Sequence, residues 1–364
     1  LYEKNGDHQR QVASLLVQLS SVTDRDEQKG LLTLLAQVAE KKLIDPRSAY
    51  EHRLRGLTLD PADSTFRAEA VRLAIELKAH AEMARFLSDL AVKVEDKSLA
   101  ISLLTEAAEV AEEGGAIDDA AQALKGALSR SPDDHELLSL LVHLLYKARR
   151  WAECDQALRR LCQASEGEQR AQLYVQLAQV NSELNSPREA AQALSEAIRA
   201  GASEEEHLPR LALLLEEGGR PAELSEVMER LIKLAEKAGD KERANGLKLR
   251  RAKLIETSLG DKAEAVRRYA DVLKHKPADP DAMTALEHLL SDPTCREDAA
   301  RALLPSYEAQ KDHRKQVLAL QVIAEAARDN GEKIAALRAA TELHLHHLRQ
   351  PAQAFISTAQ AVRL

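Results

Sequence analysis

Aromatic residues are scarce in this sequence: Phe, Trp and Tyr together make up 3% of it, and Trp151 is the single tryptophan. A core built almost without them has to come from Leu, Ala, Val and Ile, side chains that suit helix against helix. β-branched or aromatic runs of strand length are missing, so nothing points to a sheet. Cysteine is nearly absent too. Cys154, Cys162 and Cys295 form an odd set without CxxC spacing, which argues against a disulfide framework and for a reducing compartment. A cytoplasmic location is therefore expected, or a periplasmic one had a targeting segment been removed. Cys154 and Cys162 lie about 12 Å apart along a helix axis, too far to bridge within it, and read as small core hydrophobes. No apolar run approaches membrane-spanning length and the start is not a signal peptide, so no membrane insertion is expected. Leu1 in place of Met points to a processed product or an excised piece.

No excess of positive charge exists either. Lys and Arg number 51 against 59 Asp and Glu, mixed along the chain for a formal charge of -8. Without a basic stripe to neutralise phosphates, nucleic acid is not an expected partner. Linkers rich in Gly, Ser or Pro are absent, so residues 1–364 read as one continuous array. Enzyme motifs are missing as well: no GxSxG elbow, no GxxxxGK[ST] loop and no GxGxxG opening a βαβ unit. The expectation is a chain with no catalytic residues, cofactor or metal.

What is present is a repeat. Leu104, Ala107, Ala108, Ala111, Ala120, Leu124 and Ala127 are followed 34 residues later by Leu138, Leu141, Val142, Leu145, Cys154, Leu158 and Leu161. Another 36 residues on stand Tyr174, Leu177, Ala178, Asn181, Ala190, Leu194 and Ala197, and the later places return as Leu224, Met228 and Leu231. Within each half the apolar residues fall three and four apart, so each unit reads as two helices. Glu113-Gly114-Gly115, Asn185-Ser186-Pro187 and Gly218-Gly219-Arg220-Pro221 separate the halves, with Gly as a helix stop and Pro as a first helical residue. Ser131-Pro132-Asp133-Asp134 and Pro277-Ala278-Asp279-Pro280 separate the units. Small residues at the eighth, twentieth and twenty-seventh places (Ala108, Ala120, Ala127, then Ala178, Ala190, Ala197) let helix axes approach to roughly 8 to 10 Å. The best-defined units are 101–134, 135–168, 171–204, 205–238 and 245–278.

This pattern, with Pro61, Pro132 and Pro277 near unit ends, resembles the tetratricopeptide repeat family, and in particular the long arrays of large bacterial proteins. The resemblance covers nearly the whole chain, most weakly at 62–96 and 281–330. It implies an all-α, right-handed superhelical solenoid of about nine or ten antiparallel helix pairs. A second, longer periodicity departs from the family pattern. Tyr2-Glu3, Asp7-His8 and Gln11-Val12 recur 305 residues later as Tyr307-Glu308, Asp312-His313 and Gln316-Val317. Lys29, Ala36, Pro46, Ala49 and Tyr50 likewise match Lys333, Ala340, Pro351, Ala354 and Phe355. Copies of this module lie near 2–61, 228–277 and 307–364, with the first helix or its turn a residue or two longer than standard. Phe355, Ile356, Ala359, Ala361, Val362 and Leu364 read as an inner helix face, so more helices are expected to follow.

The family geometry puts helix A places two, five, nine and twelve on a concave face. Those are Ser102, Thr105, Glu109 and Glu112, then Glu136, Ser139, His143 and Tyr146, then Gln172, Val175, Gln179 and Ser182. Such a face implies a protein or peptide ligand lying along it. Family members that grip the acidic tail of a chaperone use Lys, Asn and Arg there, whereas this groove is acidic or neutral, so a basic or polar ligand is expected. The expected function is a protein–protein interaction scaffold. Its alternatives are a regulatory or targeting array joined to an enzymatic or DNA-binding domain, or a structural spacer. Three side features read as ordinary structure. Glu342, His344, His346 and His347 have helix-face spacing but no His-Glu-x-x-His order, Trp151 packs on the preceding turn unless it anchors a partner, and Glu204-Glu205-Glu206 is a solvated helix start.

Overall fold

The computed structural model describes residues 7–364; Tyr2 and Glu3, the first matched pair of the longer module, lie outside them. Among the described residues there are twenty α-helices and no strand. The chain divides into two compact units, one ending at Leu184 and the other beginning at Asn185. The first holds α1 (His8–Ser21), α2 (Arg25–Lys41), α3 (Pro46–Leu59), α4 (Ser64–Glu76), α5 (His80–Lys93), α6 (Lys97–Glu113), α7 (Ile117–Arg130), α8 (His135–Lys147), α9 (Trp151–Ala164) and α10 (Gly167–Glu183). The second holds α11 (Pro187–Arg199), α12 (Glu204–Glu217), α13 (Pro221–Lys237), α14 (Lys241–Leu254), α15 (Lys262–His275), α16 (Pro280–Leu289), α17 (Arg296–Gln310), α18 (His313–Ala326), α19 (Asn330–Glu342) and α20 (Pro351–Arg363).

Local chemistry sets these boundaries. Asp24, Asp45, Asp63, Asp96 and Asp134 each accept backbone N–H groups at the start of the helix they precede, which satisfies donors that have no intrahelical partner. Pro46, Pro187, Pro221, Pro280 and Pro351 open their helices. The turn inside each pair needs one left-handed residue, supplied by Gly115 and Gly219 at φ 74° and 65°. Elsewhere the same place holds Ile44, Lys78, Arg149, Asn185 and Arg349, all at φ of 53–55°. Ile44 is the most strained of these, because a β-branched side chain crowds its own carbonyl there. It is also 83% exposed and packs on little. Ile44→Gly is therefore expected to raise unfolding free energy by about 1 kcal/mol, read from urea denaturation.

Successive helices within each unit pack on one another, α2 on α3, α5 on α6, α6 on α7 and α8 on α9 in the first, α12 on α13 and α17 on α18 in the second. The alanines at the close-approach places are buried: Ala107, Ala111, Ala120, Ala127, Ala178, Ala190 and Ala197 expose none of their surface and Ala108 4%. Where the repeat is faintest in sequence, at 62–96, α4 and α5 bury Ala70, Ala74, Ala84 and Ala91 in the same manner. The other faint stretch is less regular, since α16 has only 10 residues and α15 packs directly on α17 as well. Arg47–Glu82, Arg72–Glu40, Lys147–Glu112 and Arg250–Glu216 join neighbouring pairs. Being largely exposed, such bridges add roughly 0–1 kcal/mol each.

The turns after α2 and α19 share one hydrogen-bond pattern. Leu43 donates its N–H to the Val38 carbonyl and Asp45 to that of Ala39. Leu348 and Gln350 repeat this with Leu343 and His344. Both sets widen the end of the first helix into a π-type turn, and Leu343–His347 and Ile255–Leu259 are five-residue π segments. The extra residue of the module is thus absorbed in the turn. Caps repeat too: Asp7 and Asp312 accept from Arg10 and Lys315, and His8 and His313 each place Nδ1 3.4 Å from Oε1 of the glutamine three residues on.

Candidate partner-binding surface

Three first helices of the first unit carry the surface: α6, α8 and α10. Their apolar stripes turn inward with Leu103, Ala107, Leu138, Leu145, Leu177 and Ala178 all buried, which leaves the polar places at the rim. Ser102, Glu109, Glu136, His143, Gln172 and Gln179 are exposed, whereas Thr105, Glu112, Ser139, Tyr146, Val175 and Ser182 are half-buried.

Two recesses lie along this face. The first, about 400 Å³, brings Ser102, Thr105 and Glu109 of α6 together with Glu136 of α8. Arg67 of α4 and Glu106 also line it, paired at 2.9 Å. Burial pushes the Glu106 carboxyl above its ordinary range; the Arg67 charge opposes this and Glu109 adds to it. Among the described residues no cation pairs with Glu109 or Glu136. The second recess, about 430 Å³, brings Ser139, His143 and Tyr146 of α8 beside Gln176 and Gln179 of α10, over a floor of Val142, Leu161 and Leu173. Tyr146 is held by Trp151, the two rings meeting edge to face at 5.3 Å and 77°. Trp151 itself is half-buried on that turn.

Four of the residues expected on this face line neither recess, Val175 among them. Glu112 forms an ion pair with Lys147 at 2.7 Å, Gln172 donates to Glu168 of its own helix, and the Ser182 hydroxyl donates to the Ala178 carbonyl. Arg67 and Gln176, by contrast, line the recesses without having been singled out in the sequence. Arg67 sits in the faint stretch, and Gln176 occupies the helix place next to the one the family geometry names. The Gln172-Gln176-Gln179 spacing was the available signal for the latter.

The histidines near the end of α19 do not follow helix-face spacing, because the π turn rotates them apart. His344 is buried, with Nδ1 3.0 Å from Gln350 Oε1, and His347 stacks on His313 at 4.1 Å. Among the described residues no three His, Cys, Asp or Glu side chains converge on a possible metal position. Cys154, Cys162 and Cys295 are buried and unpaired, and burial pushes the thiols of Cys154 and Cys162 up to about 11. Glu204, Glu205 and Glu206 are exposed in the first turn of α12. Among the described residues no helix is long and apolar enough to cross a membrane.

The helix-pair repeat and its buried small residues at three fixed places decide the architecture. It is an all-α repeat of helix pairs. A scan of protein-family models and a search of curated proteins find no match to the chain. Solved structures do resemble the chain. Naa15/Naa10 bound to HypK-THB matches over 92% of this chain and 62% of that one, at 13% identity and TM-score 0.37. A tetratricopeptide repeat protein from Parabacteroides merdae matches over 86% of this chain and 98% of its own, at 13% identity and TM-score 0.30. The P58(IPK) TPR domain matches over 94% and 98%, at 11% identity and TM-score 0.27. The present chain thus spans less than two thirds of the first of these proteins.

Proposed function

We propose that this chain is a protein–protein interaction scaffold with no chemistry of its own, and that the face of α6, α8 and α10 takes an extended or helical protein segment. The observation that carries the reading is the second recess. Ser139, His143, Tyr146, Gln176 and Gln179, from two separate helices, line one concavity whose floor is apolar. A peptide side chain entering it meets hydrocarbon below and hydrogen-bonding groups around the mouth, the usual make-up of a recognition pocket. The unpaired Glu109 and Glu136 next door favour a basic or polar ligand over an acidic one. The same reading treats residues 1–364 as one continuous array.

Panning a displayed peptide library against the chain tests this. Trp151 touches Tyr146, so its fluorescence reports occupancy directly. Selected peptides are expected to be rich in Lys and Arg and to shift that fluorescence. Tyr146→Ala or Gln179→Ala should weaken binding about tenfold, as loss of one well-packed contact does. Equal binding by both variants would remove the site from this face.

A further inference from the structure

Helix α8 lines recesses on two sides. Glu136, His143 and Tyr146 belong to the candidate surface, whereas Leu141 and Leu145 lie about half a turn round the helix from them. With Leu128 of α7 and Ala157 of α9, these two leucines floor another recess of about 440 Å³. All four floor side chains are buried. The rim is charged and unbalanced. Among the described residues Glu153 is the one carboxylate lining it, and it is shared by Lys125 at 2.5 Å and by Arg150. Arg160 donates to the Pro132 carbonyl and, among the described residues, pairs with no carboxylate. Lys125 and Arg160 thus leave net positive charge around an apolar floor. The matching groove of the second unit is satisfied from within. At the offsets that relate units 101–134 to 205–238 and 135–168 to 245–278, Lys125 becomes Glu229, Leu128 becomes Ile232 and Leu141 becomes Arg251. There Arg251 pairs with Glu229 and donates to the Ser225 hydroxyl at 3.1 Å, and the recess between α13, α14 and α15 is about 230 Å³. In the first unit the arginine of the floor is a leucine and the acid of the rim a lysine, so the place lacks an acid.

We infer that the recess of α7, α8 and α9 is a second docking site, which takes a partner protein's segment carrying an aliphatic side chain beside a carboxylate. The aliphatic group covers the floor at Leu141 and Leu145, and the carboxylate supplies the acid that Arg160 and Lys125 lack. The preferred charge is opposite to that of the α6, α8 and α10 face, where Glu109 and Glu136 are unpaired among the described residues. The two sides of α8 therefore select different partners, and one helix pair can hold both.

The probe is a fluorescein-labelled synthetic peptide, Gly-Ser-Glu-Leu-Leu-Glu-Gly-Ser, titrated into the intact chain by fluorescence anisotropy. Saturable binding is expected, about tenfold tighter than for the peptide with Lys in place of both Glu or with Ala in place of both Leu. Arg160→Glu should reverse the preference between the Glu and Lys peptides, an exchange that a merely structural arginine would not allow. Ser129→Trp, at the rim, fills the recess and should abolish binding. Arg160 and Ser129 are both exposed, so these replacements leave the fold in place. Tyr146→Ala, on the other side of α8, should change nothing, which keeps this site distinct from the one proposed above. Binding lost with Tyr146→Ala and kept with Ser129→Trp puts the acidic peptide on that other face and overturns the inference. Absence of saturable binding, or equal binding of the Glu and Lys peptides, overturns it as well. So does a chain that self-associates in sedimentation velocity and becomes monomeric with Ser129→Trp, since a second copy then occupies the recess.

Discussion

Gly56→Ala is expected to destabilise the first unit by about 2 kcal/mol, although the same exchange at an open helix position gains up to about 1 kcal/mol. The cause is the neighbour. A Cβ at residue 56 of α3 falls 2.3 Å from Cε1 and 2.5 Å from Cδ1 of Phe66, well inside contact distance. That ring is only 3% exposed and lies 5.5 Å beneath the Arg53 guanidinium, itself 5% exposed. A ring buried to this degree in a close-packed interior gives way at a cost, by shifting itself or by parting α3 from α4. Chemical denaturation measures the loss, and the pair Gly56→Ala with Phe66→Leu tests its origin. In the leucine background most of the cost of Gly56→Ala should vanish, because residues in contact couple and do not add. A cost that stays the same would mean the ring is not what the methyl group meets.

Leu103→Ala should have the largest effect of any single truncation considered, about 3 to 4 kcal/mol. Leu103 exposes none of its surface on α6, which packs on both α5 and α7. Leu213→Ala, at a side chain 55% exposed, is the matched control and should change stability by no more than about 0.5 kcal/mol. The distribution of the loss matters as much as its size. In a stack of helix pairs each pair meets only its neighbours, so the cavity weakens α5 to α8 first. Amide exchange should therefore quicken in those helices while α1 and α2 keep their protection. Uniform loss across the first unit would show longer-range cooperativity than a nearest-neighbour stack allows.

How much of this was legible beforehand depends on whether the cause was local. Helix pairs, their Asp caps, their opening prolines and the glycine stops follow from interactions within a few residues, and they stand where the spacing puts them. The left-handed Ile44 does not, because its residue type argues against the conformation that the turn imposes. On the candidate face, Ser139, His143, Tyr146 and Gln179 line one recess. Glu112, Gln172 and Ser182 find partners nearby instead, and no periodicity distinguishes a satisfied polar group from an open one. Arg67 reaches the surface from a different helix pair, 39 residues before the Glu106 carboxylate it meets, which is a matter of stacking.

By itself the sequence determined that this chain is a repeat of helix pairs and where the helices flanking its Gly, Pro and Asp turn signals stop and start. All of these are set by propensity, capping and apolar period, which act along the chain. Only the tertiary structure decided which of the described polar side chains remain unpaired and that Gly56 is there to admit Phe66. Those depend on what each helix is packed against, and one helix of this repeat reads in sequence much like the next whether its face is buried or bare.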